Sequence, residues 1–160
     1  MFTRKILVMT GIILVATAGS ALAGAAVFAG MTLPMGDLND VADTGSHFGA
    51  RMHVPIVPLV FSAGPQAAYH SLPGSASDDD MTFIEFLATA RFSLPAGPVL
   101  IGGLGWTVTD GTIQGIELDK ETEFTWTIGT GASFMVLDLS AMWHHLGERD
   151  FITVSAGLGF

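Results

Sequence analysis

The chain has 160 residues, no cysteine, 49% apolar and 13% charged residues, and six Lys and Arg against fifteen Asp and Glu. That length suits one domain, and a chain without cysteine has no disulfide framework, thiol nucleophile or cysteine-built zinc site. A net charge of −9 leaves little to neutralise a run of phosphates, which argues against nucleic acid as a partner. The charged fraction falls well below the roughly 25% of ordinary soluble domains and turns attention to a membrane.

Taken in chain order, the first segment is a secretory signal peptide. Arg4 and Lys5 supply a positive start, residues 6–18 are apolar, and Ala21-Leu22-Ala23 is a small-residue cleavage site. An uncleaved anchor helix is the alternative, because apolar residues continue to Phe28. Gly24 and the Ala-x-Ala pattern favour cleavage. Removing residues 1–23 takes away Arg4 and Lys5, so the mature domain, 24–160, would move from −9 to −11.

Beyond residue 23 there is no second run of 18 apolar residues and no sustained 3.6-residue period. Alternation at period two recurs instead, between turn residues. It predicts eight strands, at 26–34, 45–56, 59–70, 82–94, 99–109, 121–134, 136–146 and 150–160. In the second, Phe48, Ala50, Met52, Val54 and Ile56 oppose His47, Arg51 and His53. In the fourth, Ile84, Phe86, Ala88, Ala90 and Phe92 oppose Glu85, Thr89, Arg91 and Ser93. The sixth and eighth repeat the scheme, one face apolar and the other polar or glycine. Alternation alone fits a soluble sandwich as well as a membrane barrel.

The connections separate the two. Those after odd strands are long (35–44, 71–81, 110–120, 147–149), and those after even strands are short, as at Val57-Pro58 and near Met135. Long outer loops and short turns are the habit of an up-and-down transmembrane β-barrel. Twelve of the fifteen acidic residues lie in or beside the long loops, leaving Glu85, Glu123 and Asp138 in strand bodies. Threaded up and down, Phe61, Phe92, Phe134 and Phe160 fall at the short-turn end. Phe48, Tyr69, Phe86, Trp106, Phe124, Trp126 and Trp143 fall toward the long loops. Two aromatic girdles around an aliphatic belt are the sorting that a bilayer imposes. The expected fold is therefore all-β, an eight-stranded antiparallel up-and-down barrel.

Three segments carry a family resemblance. They are Phe28-Ala29-Gly30 leading into Pro34-Met35-Gly36-Asp37, the strand Gly102-Gly103-Leu104-Gly105-Trp106, and the ending Ala156-Gly157-Leu158-Gly159-Phe160. Residues 24–160 resemble the outer-membrane β-barrel domain family, which includes the transmembrane part of outer-membrane protein A and its small stand-alone relatives. The resemblance implies a bacterial outer-membrane location, with the outer-membrane lipids and lipopolysaccharide as surroundings. It also implies that Phe160 is the assembly signal read by the barrel-assembly machinery. Pro55 and Pro65 depart from the pattern, because strands of a closed barrel are paired on both sides; bulges or early strand ends are expected there.

Few constellations suggest chemistry. Gly102-Gly103-Leu104-Gly105 and Gly129-Thr130-Gly131 precede no helix and so cannot cradle a phosphate. Asp138, Ser140 and His144 share a face, but Ser140 and His144 lie about 13 Å apart along the strand, too far for a nucleophile and its base. Cross-strand partners such as Thr153 or Ser155 remain open. Asp37, Asn39, Asp40 and Asp43 match no calcium loop, though divalent cations bridging to lipopolysaccharide are conceivable at the acidic loops.

The reading is a non-enzymatic, monomeric outer-membrane barrel with a structural or surface role, no cofactor and no open pore. A lipid A deacylase-like enzyme and a soluble eight-stranded carrier are the rivals. Unpaired charges at bilayer depth cost about 2.5–3.5 kcal/mol on insertion scales, so an interior network of Arg51, Arg91, Glu85, Glu123 and Asp138 is expected. Counting heights places Arg91 near Asp138 and Arg51 near Glu85 or Glu123.

Overall fold

The computed structural model describes residues 24–74, 80–95, 97–113, 116–117 and 120–159. The expected signal peptide, the assembly signal Phe160 and the acidic pair Asp78-Asp79 lie outside them. The strands are β1 (Ala25–Met35), β2 (Gly45–Met52), β3 (Val54–Val57), β4 (Phe61–Pro73), β5 (Asp80–Ser93), β6 (Pro98–Ile113), β7 (Ile116–Glu117), β8 (Glu121–Phe134), β9 (Leu137–Leu146) and β10 (Arg149–Gly159). β3 continues the line of β2, and β7 is a short extension paired to the end of β6. The remaining ladders are antiparallel and join neighbours in sequence. β1 meets β10 and β2 meets β4, so eight staves close on themselves.

Register around the barrel fixes the stagger. Followed one way, Glu85 leads through Ala68, Gly49, Phe28 and Gly157 to Asp138. Followed the other way, through Thr107 and Glu123, it arrives opposite position 148 of the β9 line. The two arrivals differ by ten residues, the offset that closure imposes when strands tilt by about 35–45°. Spread over eight staves, level positions shift by about one and a quarter residues per strand.

Both prolines find places where a missing N–H costs little. The β2–β4 ladder stops at Arg51↔Gln66 and resumes as β3–β4 at Val54↔Ala63, so Pro65 sits in the gap while its other side pairs with Ala88. Pro55 lies where the register shifts, between Pro55 and Val57. One element lay hidden in the first long loop: a 3₁₀ turn, Gly36–Asp40, carrying Leu38 into a buried position.

The alternation resolves as expected, with the polar face turned inward. His47, Arg51, Gln66, His70, Glu85, Thr89, Asp138 and His144 are all buried, while Met31, Phe86, Leu104, Trp106, Phe124, Ile128 and Val154 are exposed. Polar inside and apolar outside is the reverse of a water-soluble barrel. Register sets the outward aromatics Phe86, Trp106 and Phe124 side by side on three neighbouring strands. Phe61 and Phe92 are paired near the short turns.

Candidate functional site: the barrel interior and its two mouths

The interior is built in layers. Nearest the short turns, Asp138 of β9 is shared by two guanidinium groups. Arg91 Nη1 donates to Oδ2 at 2.6 Å, and Arg51 Nη2 approaches Oδ1 at 2.7 Å. The second is an ion-pair contact without hydrogen-bond alignment, since neither atom has a hydrogen-bond partner. Ser133 Oγ joins by donating to Asp138 Oδ2 and accepting from Arg91 Nη2, each at 3.2 Å. Arg51 also lies over the Phe28 ring, 5.2 Å from its centroid, a cation–π contact. Beside it, Thr89 donates to the Gly64 carbonyl and therefore accepts from His53 Nε2–H at 2.8 Å.

The middle layer is histidine-rich. His144 Nδ1–H donates to Glu85 Oε2 at 2.8 Å, while its Nε2 is 3.0 Å from Thr153 Oγ1. Thr32 Oγ1 bridges His47 and His70 at their Nδ1 atoms, 3.1 and 3.0 Å away, and His47 Nε2 reaches Ser155 Oγ at 2.8 Å. The void among these groups is about 10 Å³, room for about one water.

The long-loop mouth is sealed by an apolar cap. Phe151 stacks on His144 at 4.5 Å and on Phe83 at 5.5 Å. Leu72, Met81, Leu146, Ala42 and the inserted Leu38 complete the cluster. Above it Arg149 holds Glu121 at 3.0 Å and Glu123 at 3.6 Å. His145 points outward, bonded to Asp150 at 2.7 Å and packed on Trp126, which meets Trp143 edge to face.

Among the five residues expected to form an interior network, Arg91 does meet Asp138. The expected pairing of Arg51 with Glu85 or Glu123 is corrected: Arg51 joins Asp138, Glu85 holds His144, and Glu123 faces Arg149. Stagger is the reason. Stepping one and a quarter residues per strand, Glu85 comes level with His144, and both arginines come level with Asp138. Counting heights without the stagger left Arg51 level with the wrong acid. Arg149 was missed because its position reads as loop.

Thr153, His144 and Glu85 satisfy the distances of a nucleophile, base and acid, which Ser140 and His144 do not. All three are buried in the filled lumen, with no space for a substrate beside the hydroxyl. Their arrangement locks the ring of His144 in place and satisfies both of its nitrogens.

The short-turn mouth carries two left-handed residues that are not glycine: Leu59, with φ of 64°, and Met135, with φ of 55°. Each costs about 1–2 kcal/mol of backbone energy. Both side chains project outward, 95% and 89% exposed.

Inverted polarity, closure over eight staves and a filled lumen define a transmembrane β-barrel of the small outer-membrane type. Solved structures agree on the fold. The chain is similar to Ail, the attachment invasion locus protein of Yersinia pestis, at 14% identity and TM-score 0.58, over 86% of this chain and 98% of that one. It is also similar to Neisserial surface protein A, at 13% identity and TM-score 0.58, over 86% of this chain and 98% of that one. A de novo designed transmembrane β-barrel superposes with TM-score 0.58 at 9% identity, over 87% of this chain and 97% of that one. No protein-family model and no curated protein sequence matches the chain.

Proposed function

We propose that this chain is a closed, non-enzymatic barrel of the bacterial outer membrane, exported as a precursor with residues 1–23 removed and its long loops facing outward. The observation that carries the reading is the pairing of an apolar exterior with a polar, filled interior. A soluble carrier would need an apolar inner face to hold a ligand, and the inner face here is charged and occupied. A barrel enzyme acting on lipid would need its nucleophile open to the bilayer, whereas Thr153 faces the lumen. The role is structural or at the cell surface.

The loop end is acidic, so its chemistry suits divalent cations bridging to lipopolysaccharide phosphates. The heparin analogue sucrose octasulfate, bound to Ail in one structure, is a polyanion and a poor match for these loops.

Membrane fractionation with a heat-modifiability gel tests the reading. The expected result is a membrane-pelleted protein whose band shifts only after boiling in detergent. A protein that stays in the soluble fraction and shows no shift would overturn it. In planar bilayers the expected conductance is that of the bare membrane; steady channel currents would overturn the closed-lumen reading.

A further inference from the structure

The outward face of the barrel is apolar but uneven, and on one flank its side chains are small. Ala50 of β2 faces Ala67 of β4, and Pro65 of β4 faces Ala88 of β5. Large side chains surround this floor. The rings of Phe48 and Tyr69 lie 5.2 Å apart on one side of it, and Phe86 and Trp106 stand 55% and 61% exposed on another. The result is an outer groove of about 770 Å³, within the range of about 300–1,000 Å³ typical of small-molecule sites.

The groove has a direction. Ile84, Phe86 and Trp106 head it on the long-loop side, and it runs down to Val27, Met52 and Ala25. Below Pro65 and Ala88 the outward positions stay small, with Ala63 against Ala90 and Ala90 against Gly102, until Phe61, Phe92 and Leu100. Next to Ala25 is Gly24, whose carbonyl accepts from His53 N–H at 3.0 Å. Removal of residues 1–23, proposed above, leaves the ammonium of Gly24 at that lower end. A charge is costly in hydrocarbon, so the lower end lies at the headgroup boundary and the floor above it lies among acyl chains.

We propose that this groove holds one acyl chain of a phospholipid from the leaflet on the short-turn side, with the phosphate beside the Gly24 ammonium. Continuity and charge choose that occupant. The groove is part of the apolar belt that faces lipid, and the charge at its lower end is opposite to a phosphate's. A chain lying on the alanine floor is flanked by walls, and so gains dispersion contacts that a chain against a convex surface lacks. A second barrel, convex in outline, would meet Phe86 and Trp106 before it reached the alanines. The proposal rests on the membrane-barrel reading and on cleavage before Gly24, and the test separates all three.

The exported protein is purified in a mild maltoside detergent and titrated with palmitoyl-oleoyl phosphatidylglycerol, and native mass spectrometry counts the lipid bound. One saturable adduct per barrel is expected. Ala67→Leu with Ala88→Leu should lower its occupancy about tenfold, the worth of about two buried methylenes. Ala141→Leu with Ala156→Leu, outward on β9 and β10, should leave it unchanged. Equal adducts in all three forms, or none in any, would overturn the proposal. A dimer mass abolished by the groove-filling pair would make a second copy the occupant and overturn it too. Absence of the heat-shifted band in the parent would instead overturn the membrane barrel. A parent mass that includes residues 1–23 would overturn cleavage and the place given to the phosphate. A second measurement does not depend on the groove-filling pair folding. With Trp126→Phe and Trp143→Phe, Trp106 is the one tryptophan left of three. A phosphatidylglycerol brominated along one chain should quench it, with saturation at one lipid per barrel. Quenching that climbs with bulk lipid and never saturates would overturn the proposal.

Discussion

Asp138 holds two arginines, and that sharing makes it the costliest interior side chain to alter. Asp138→Asn would leave Arg51 and Arg91 facing a neutral amide at bilayer depth, and breaking a buried pair in this way costs about 3–5 kcal/mol. Urea unfolding of the vesicle-inserted protein should show that loss. Glu85→Gln should cost less, because the amide oxygen still accepts from His144 Nδ1–H and no arginine is stranded. Equal losses would mean that the two layers are coupled more tightly than their separate partners indicate. Arg91 with Asp138 was legible from alternation and height. The partner of Arg51 was not, because a one-strand count carries no information about stagger.

At the scale of elements, β8 occupies the residues expected of it, 121–134, since Thr, Phe, Trp and Ile alternate there without a proline or a turn signal. The line through β2 and β3 was legible only as a difficulty at Pro55; where the ladder breaks depends on what β4 presents opposite. The 3₁₀ turn Gly36–Asp40 left no periodic trace, being too short for one. Leu38 nonetheless seals the mouth with Leu72, Phe83 and Phe151. Leu38→Ala should therefore leave the barrel folded while exposing the loop at 36–43 to protease, a local opening rather than a global one; limited proteolysis of intact vesicles reads it. Phe160 follows β10 in the sequence, and its deletion should impair membrane assembly more than any loop substitution. Fractionation of the variant would show this, and normal assembly would count against the signal role.

For the whole molecule, export should leave a chain beginning at Gly24, and mass spectrometry of the membrane-bound protein would reveal a retained Met1 if residues 1–23 act as an anchor instead. The sequence by itself determined the class of this protein, because class follows from local rules. Period-two alternation decides which side chains share a face, turn residues decide where strands end, and the crowding of acids into alternate connections tells the two ends apart. Only the tertiary structure decided the contents of the lumen. Ring closure offsets the register by ten residues, and that offset exists in no single strand. It brings Glu85 level with His144 rather than Arg51, gathers two arginines on one aspartate, and lowers Leu38 onto Phe83 and Phe151. Partners across a barrel are set by closure, a condition on all eight staves at once, and no stretch of sequence states it alone.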